Sequence, residues 1–86
     1  MNGPHWWRIG DVATLLGTET HVIRYWESEF AWYLKPPRSK TGQRWYGREH
    51  IERLEEVKRL LYVERYTIEG AKRQLRLAAE RERLAG

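Results

Sequence analysis

Residues 9–27, IGDVATLLGTETHVIRYWE, decide how the rest of the chain is read. Ile9, Val12, Ala13 and Leu16 fall at i, i+3, i+4 and i+7, the spacing that lays four apolar side chains along one stripe of a helix. Gly17 then ends that helix, because a glycine just past the last periodic residue takes a left-handed exit with no Cβ penalty. Thr18 or Thr20 is placed to cap a second helix. Along that helix Val22, Ile23 and Trp26 share one side, while His21, Arg24, Tyr25 and Ser28 share the other. The apolar side must be docked, so the other is presented outward. It carries a cation, a phenol, an imidazole and a hydroxyl, where a solvated face ordinarily mixes Glu and Lys. Such groups reach the anionic oxygens and edge acceptors of a DNA groove. A small helical hairpin with a merely solvated face accounts for this stretch alone equally well.

Composition narrows the choice. Eighty-six residues make one domain at most, with a modest core that needs aromatic help; five Trp and five Tyr supply it. With no cysteine there is neither a disulfide framework nor a thiolate metal site, and the cytosol is the expected compartment. No run approaches the roughly 18 apolar residues of a spanning helix, so no membrane partner is expected. The start, MNGPHWWR, lacks the layout of a signal peptide. His5, His21 and His50 are too scattered for a metal set, and no cofactor is expected. An enzyme is not expected either, since no paired carboxylates, nucleophile with a base, or phosphate-cradling glycine loop stands at workable spacing.

The distribution of charge says more than its net of +4. Residues 34–48 hold Lys35, Arg38, Lys40, Arg44 and Arg48 with no acid among them. An acid-free basic stripe beside a helix pair is the electrostatic footprint of a chain that meets a polyanion. A merely soluble loop more often mixes signs.

Around this centre, residues 1–8 read as a frayed tail whose Trp6-Trp7 pair lids the core. After the second helix, SEFAWYL is dense enough in Phe30, Trp32, Tyr33 and Leu34 to bury against both helices. Pro36-Pro37 stops any helix. RSKTGQRWY then reads as a β-hairpin with Lys40, Thr41 and Gly42 at its tip and Gln43 to Tyr46 as the returning strand. Alternation pairs Arg44 with Tyr46 and Gln43 with Trp45, and residue types turn Arg44 outward toward phosphate. Residues 48–66 return to helix, with Ile51, Leu54, Val57 and Leu61 on one face. Thr67 is placed to cap a last helix whose stripe begins with Ile68, Ala71 and Leu75. Residues 76–86 are expected to be a short helical tail; Leu77 and Leu84, seven apart, offer only the start of a coiled-coil seam.

With that order in place, residues 7–75 resemble the winged helix-turn-helix domain of the mercury-resistance-regulator (MerR) family. The resemblance is carried by IGDVATLLG, by HVIRYWE where the family has an arginine-aromatic-aromatic-acid run, by PPRS, by GQRWY, and by ERYTIEGAKRQL. It implies a mainly α fold over residues 9–75 with a small β-hairpin wing and two following helices. It also implies a transcription regulator that binds double-stranded DNA, as a homodimer on an inverted repeat, in the nucleoid-associated cytoplasm. Thr20, His21, Arg24 and Tyr25 are then expected in or beside the major groove, and Arg38, Lys40, Gln43, Arg44 and Tyr46 on the wing. ESEFAWYLKPP departs from the family pattern, being longer and more aromatic and lacking the usual glycine. The chain is expected to be the reading head of a longer regulator or a small phage-type regulator. Two other classes stand beside this one: an excisionase-like architectural DNA-binding protein, expected to favour direct repeats, and a protein-interaction adaptor with salt-insensitive binding.

Overall fold

A computed structural model of the chain describes residues 5–39 and 42–86. The expected frayed Gly3-Pro4 start and the Lys40-Thr41 part of the expected hairpin tip lie outside them. The molecule is mainly helical: α1 (Ile9–Leu16), α2 (Thr20–Glu29), the single turn α3 (Ala31–Leu34), α4 (Arg48–Lys58) followed by a π-helical turn (Arg59–Val63), and α5 (Ile68–Ala85). The α2 helix packs on α1, α3 and α4. Val12, Ala13 and Leu16 of α1 meet Ile23 and Trp26 of α2 in the core, as the spacing requires, and Phe30, Leu34, Leu54 and Val57 complete its centre.

Gly17 closes α1 in the left-handed conformation, φ 66°. Its N–H donates to Thr14 O and that of Thr18 to Ala13 O, 2.9 Å, the paired bonds of a Schellman exit. The Lys58 ammonium, reaching over from α4, donates to Leu16 O, so a cation sits where the carbonyl end of the helix dipole favours one. A Cβ added at Gly17 would meet only Lys58 Nζ, at 3.8 Å. The cost of Gly17→Ala is therefore conformational, about 1–2 kcal/mol for a left-handed alanine, and should appear as a lower urea midpoint with unchanged slope.

Several expectations are corrected. Neither Thr18 nor Thr20 caps α2: Glu19 holds the N-cap position without a side-chain bond, and Thr20 is the first helical residue. Trp32 does not bury, remaining 41% exposed on the outer side of α3. Beyond α4, Leu60 is buried and the expected Leu61 is half-buried against the same core. Both leucines lie in the π-helical turn, marked by Glu64 N–H donating to Arg59 O, whose i→i+5 bonding places an extra residue in the turn. Thr67 does cap α5, its hydroxyl accepting from Gly70 N–H at 3.0 Å. The helix then runs to Ala85 without a break at residue 76, although every residue from Arg76 onward is exposed.

The largest correction concerns the wing. Among the described residues there is no strand. The β pairing found is one antiparallel bridge, in which Trp7 N–H donates to Tyr46 O (2.9 Å) and Tyr46 N–H to Trp7 O (2.7 Å). One cause is local and one is tertiary. Pro36 and Pro37 have no N–H to give a ladder, and the backbone of Tyr46 is already taken by the N-terminal segment. Residues 35–39 and 42–47 thus form no regular element beyond that bridge, and Gly42 has φ 86°. Trp7 covers the core as expected, whereas Trp6 lies against Gly47 and stays 54% exposed.

His50 joins this loop to α4. The Gly47 N–H donates to its Nδ1 at 2.9 Å, and its ring stands edge-on to Tyr46, centroids 5.9 Å apart. Burial first, and then the Arg53 guanidinium, push the imidazole below its ordinary value. Because the folded value is the lower one, this contribution to stability is complete above the unfolded value of about 6.5. It is lost as pH falls through the folded value. His50→Gln keeps an acceptor at the third helical position but cannot titrate. The melting temperature of wild type should therefore fall more than that of His50→Gln between about pH 7.5 and pH 5; parallel curves would show that His50 has no part in it.

Candidate nucleic-acid interface

The outward side of α2 carries the residues its period puts there. His21, Arg24, Tyr25 and Ser28 are all exposed, and Thr20 is half-buried at the start of the helix. Arg24 makes no ion pair among the described residues, so its guanidinium is presented by a helix whose opposite side is fixed in the core.

Next to it a cleft of about 370 Å³ is lined by Arg8, Ile9, Arg24, Gly42, Gln43 and Arg44. Three arginines from three separate segments meet there: the residue before α1, the middle of α2, and the basic loop. No acid lines it. Arg8 is held by stacking over the Trp45 indole, 5.2 Å from the ring centroid, a contact worth about 0.5–1 kcal/mol at an exposed site. Gly42 and Arg44 also line a second hollow, with Pro37, Arg38 and Ser39. Arg24, Gln43 and Arg44 thus line one cleft, and Arg38 lines the hollow that shares Gly42 and Arg44 with it. His21 and Tyr25 share the exposed side of α2 but do not line the cleft, and Lys40 lies outside the described residues.

Tyr46 is corrected: it is fully buried and cannot touch a partner. Its hydroxyl donates to Glu27 Oε2 at 2.7 Å, while Arg44 Nη1 donates to Glu27 Oε1 at 2.8 Å. Burial and then the bond to Glu27 push the Tyr46 phenol up to about 12, so it stays a neutral donor at physiological pH. The two side chains expected on one side do turn the same way, both to Glu27, but to different depths. Tyr46 enters the core, and Arg44 stays at the surface with its side chain 46% exposed and one nitrogen turned inward.

Two residues escaped the sequence reading. Glu27, 7% exposed, is the buried acid of α2. A signal existed: Ile23, Trp26, Glu27 and Phe30 fall at i, i+3, i+4 and i+7, so position 27 belongs to the core stripe and a carboxylate there needs partners. Arg8 carried no such signal, since the fold alone brings it beside Arg24 and Arg44. Among the described residues no helix is long and apolar enough to cross a membrane.

A family model described as MerR HTH family regulatory protein matches residues 7–77. No curated protein and no solved structure matches the chain.

Proposed function

The chain belongs to the MerR HTH regulatory family, and from that membership and the basic cleft we propose that it is a sequence-specific, double-stranded-DNA-binding transcription regulator. The observation that carries this reading is the acid-free meeting of Arg8, Arg24 and Arg44 around one cleft beside the exposed side of α2. In this proposal α2 enters the major groove. Thr20, His21, Arg24 and Tyr25 face base edges there, with Arg24 the one able to hold a guanine edge with two bonds. Arg8, Arg38, Lys40, Gln43 and Arg44 follow the phosphate backbone, the basic loop serving as a wing without strands. Two copies on an inverted repeat, in the cytoplasm with the nucleoid, complete the proposal.

The division between helix and loop is tested through salt. Each phosphate neutralised releases condensed counterion, so losing one contact should flatten log affinity against log salt by about 0.9. Arg38→Ala, exposed and without an ion pair among the described residues, should do so at unchanged melting temperature. Arg44→Ala should flatten the slope similarly but also melt lower, because Glu27 is left buried without its cation. Affinity should fall alike on selected and scrambled duplexes in anisotropy titrations over a salt series. Parallel slopes, with loss on the selected duplex alone, would mean that the loop reads bases.

A further inference from the structure

We propose that Glu27 is a positioning residue for DNA binding: from inside the core it holds Arg44 of the basic loop in register with Arg24 of α2. The inference rests on the DNA-binding reading above and adds to it a residue that touches no DNA.

A wing built as a β-hairpin is held by its own ladder, but residues 35–47 contain no strand among those described, and the Trp7–Tyr46 bridge ties down only their C-terminal end. Gln43, Arg44 and Trp45 are exposed, so packing alone does not set the direction of the Arg44 side chain. Glu27 does. It sits three residues after Arg24 on the same helix, is 7% exposed, and has both oxygens occupied, one by Arg44 Nη1 and the other by the Tyr46 hydroxyl. One carboxylate therefore grips the loop at two residues, one of them wholly buried. Its charge also suits the purpose, because an uncompensated carboxylate in the core is unfavourable enough to hold the guanidinium over it. Arginine presents five N–H donors and this bond uses Nη1, leaving the outer part of a half-exposed side chain for phosphate in the cleft it shares with Arg24 and Arg8. Acting through Arg44, Glu27 sets the spacing between the base-reading helix and the phosphate-tracking loop. A net negative charge close to DNA opposes binding in general, and it is tolerated here because it is buried and covered by Arg44.

Glu27→Gln keeps size and one bond to Tyr46 while removing the charge that orients Arg44. Duplex affinity should fall about tenfold, the weight of one charge-assisted contact, and the salt slope should flatten by about 1. The decisive comparison is a cycle with Arg44→Ala. Positioning through Arg44 predicts that Glu27→Gln costs nothing further in the Arg44→Ala background, and that the double variant melts higher than Arg44→Ala alone. An equal loss of affinity in both backgrounds would overturn the proposal, making Glu27 a fold residue only. Nitrogen-detected NMR of the free wild-type protein needs no variant. The Arg44 guanidinium should show separate, restricted Nη signals while that of Arg38 averages; averaging at Arg44 would also overturn it. Wild-type protein that binds no duplex would defeat the DNA reading on which the inference rests. Duplex binding undiminished by Glu27→Gln would defeat the inference alone.

Discussion

Trp26→Ala should lower the stability of the domain by about 3–5 kcal/mol, the range for deleting a large aromatic from a core. Trp26 is 2% exposed and lies where α2 meets the π-helical turn, its ring edge-on to Tyr62 with centroids 6.0 Å apart. It belongs to the stripe of α2 that docks the helix, so its removal loosens the element that presents Arg24. Domains of ordinary stability hold only about 5–15 kcal/mol, and a chain this short lies toward the lower end. The variant should unfold near ambient temperature or fail to fold. Trp32, 41% exposed, is the control: Trp32→Ala should leave the urea midpoint almost unchanged. Equal melting of wild type and Trp26→Ala would place Trp26 at the surface, with α2 rotated so that a different side of the helix faces the core.

Arg24→Ala should produce the largest change in discrimination. A guanidinium that holds a base edge contributes about 1–3 kcal/mol between the right base and a wrong one, whereas one on phosphate weakens all sequences alike. Arg24 stands at the middle of the exposed side of α2 and makes no ion pair among the described residues. Its removal should leave the fold intact and the affinity for scrambled duplex slightly lower, while selected duplex loses about five- to 150-fold, the same 1–3 kcal/mol expressed as affinity. Equal losses on both duplexes would make Arg24 a phosphate clamp, with base reading left to His21 and Tyr25.

The helices were legible because their information is local and periodic. Ile9 to Leu16 and Val22 to Trp26 state which sides are buried, Gly17 states the exit, and Thr67 states a start; the structure holds all of these. The loop was misread because RSKTGQRWY has the residues of a hairpin but follows Pro36-Pro37, which cannot donate to one. The competing partner for Tyr46 is Trp7, thirty-nine residues earlier in the sequence. Such pairing is decided by tertiary geometry. Leu60 joins Leu61 against the core in a π-helical turn that no local residue announces. At the site, the exposed members of α2 could be read from period alone. The cleft could not, since Arg8 and Arg44 reach Arg24 only after folding. Glu27 lay between these cases: its place on the stripe was visible, and its partners were not.

The central claim, that the surface joining Arg24 to Arg8 and Arg44 reads double-stranded DNA, is tested most directly by selecting bound duplexes from a random library with wild-type protein and with Arg24→Ala. Wild type should enrich an inverted repeat. Arg24→Ala should enrich the same motif with base preference lost at symmetry-related positions in each half-site. A wild-type protein that enriches no sequence, and whose residual affinity is insensitive to Arg8, Arg24 and Arg44, would contradict the account.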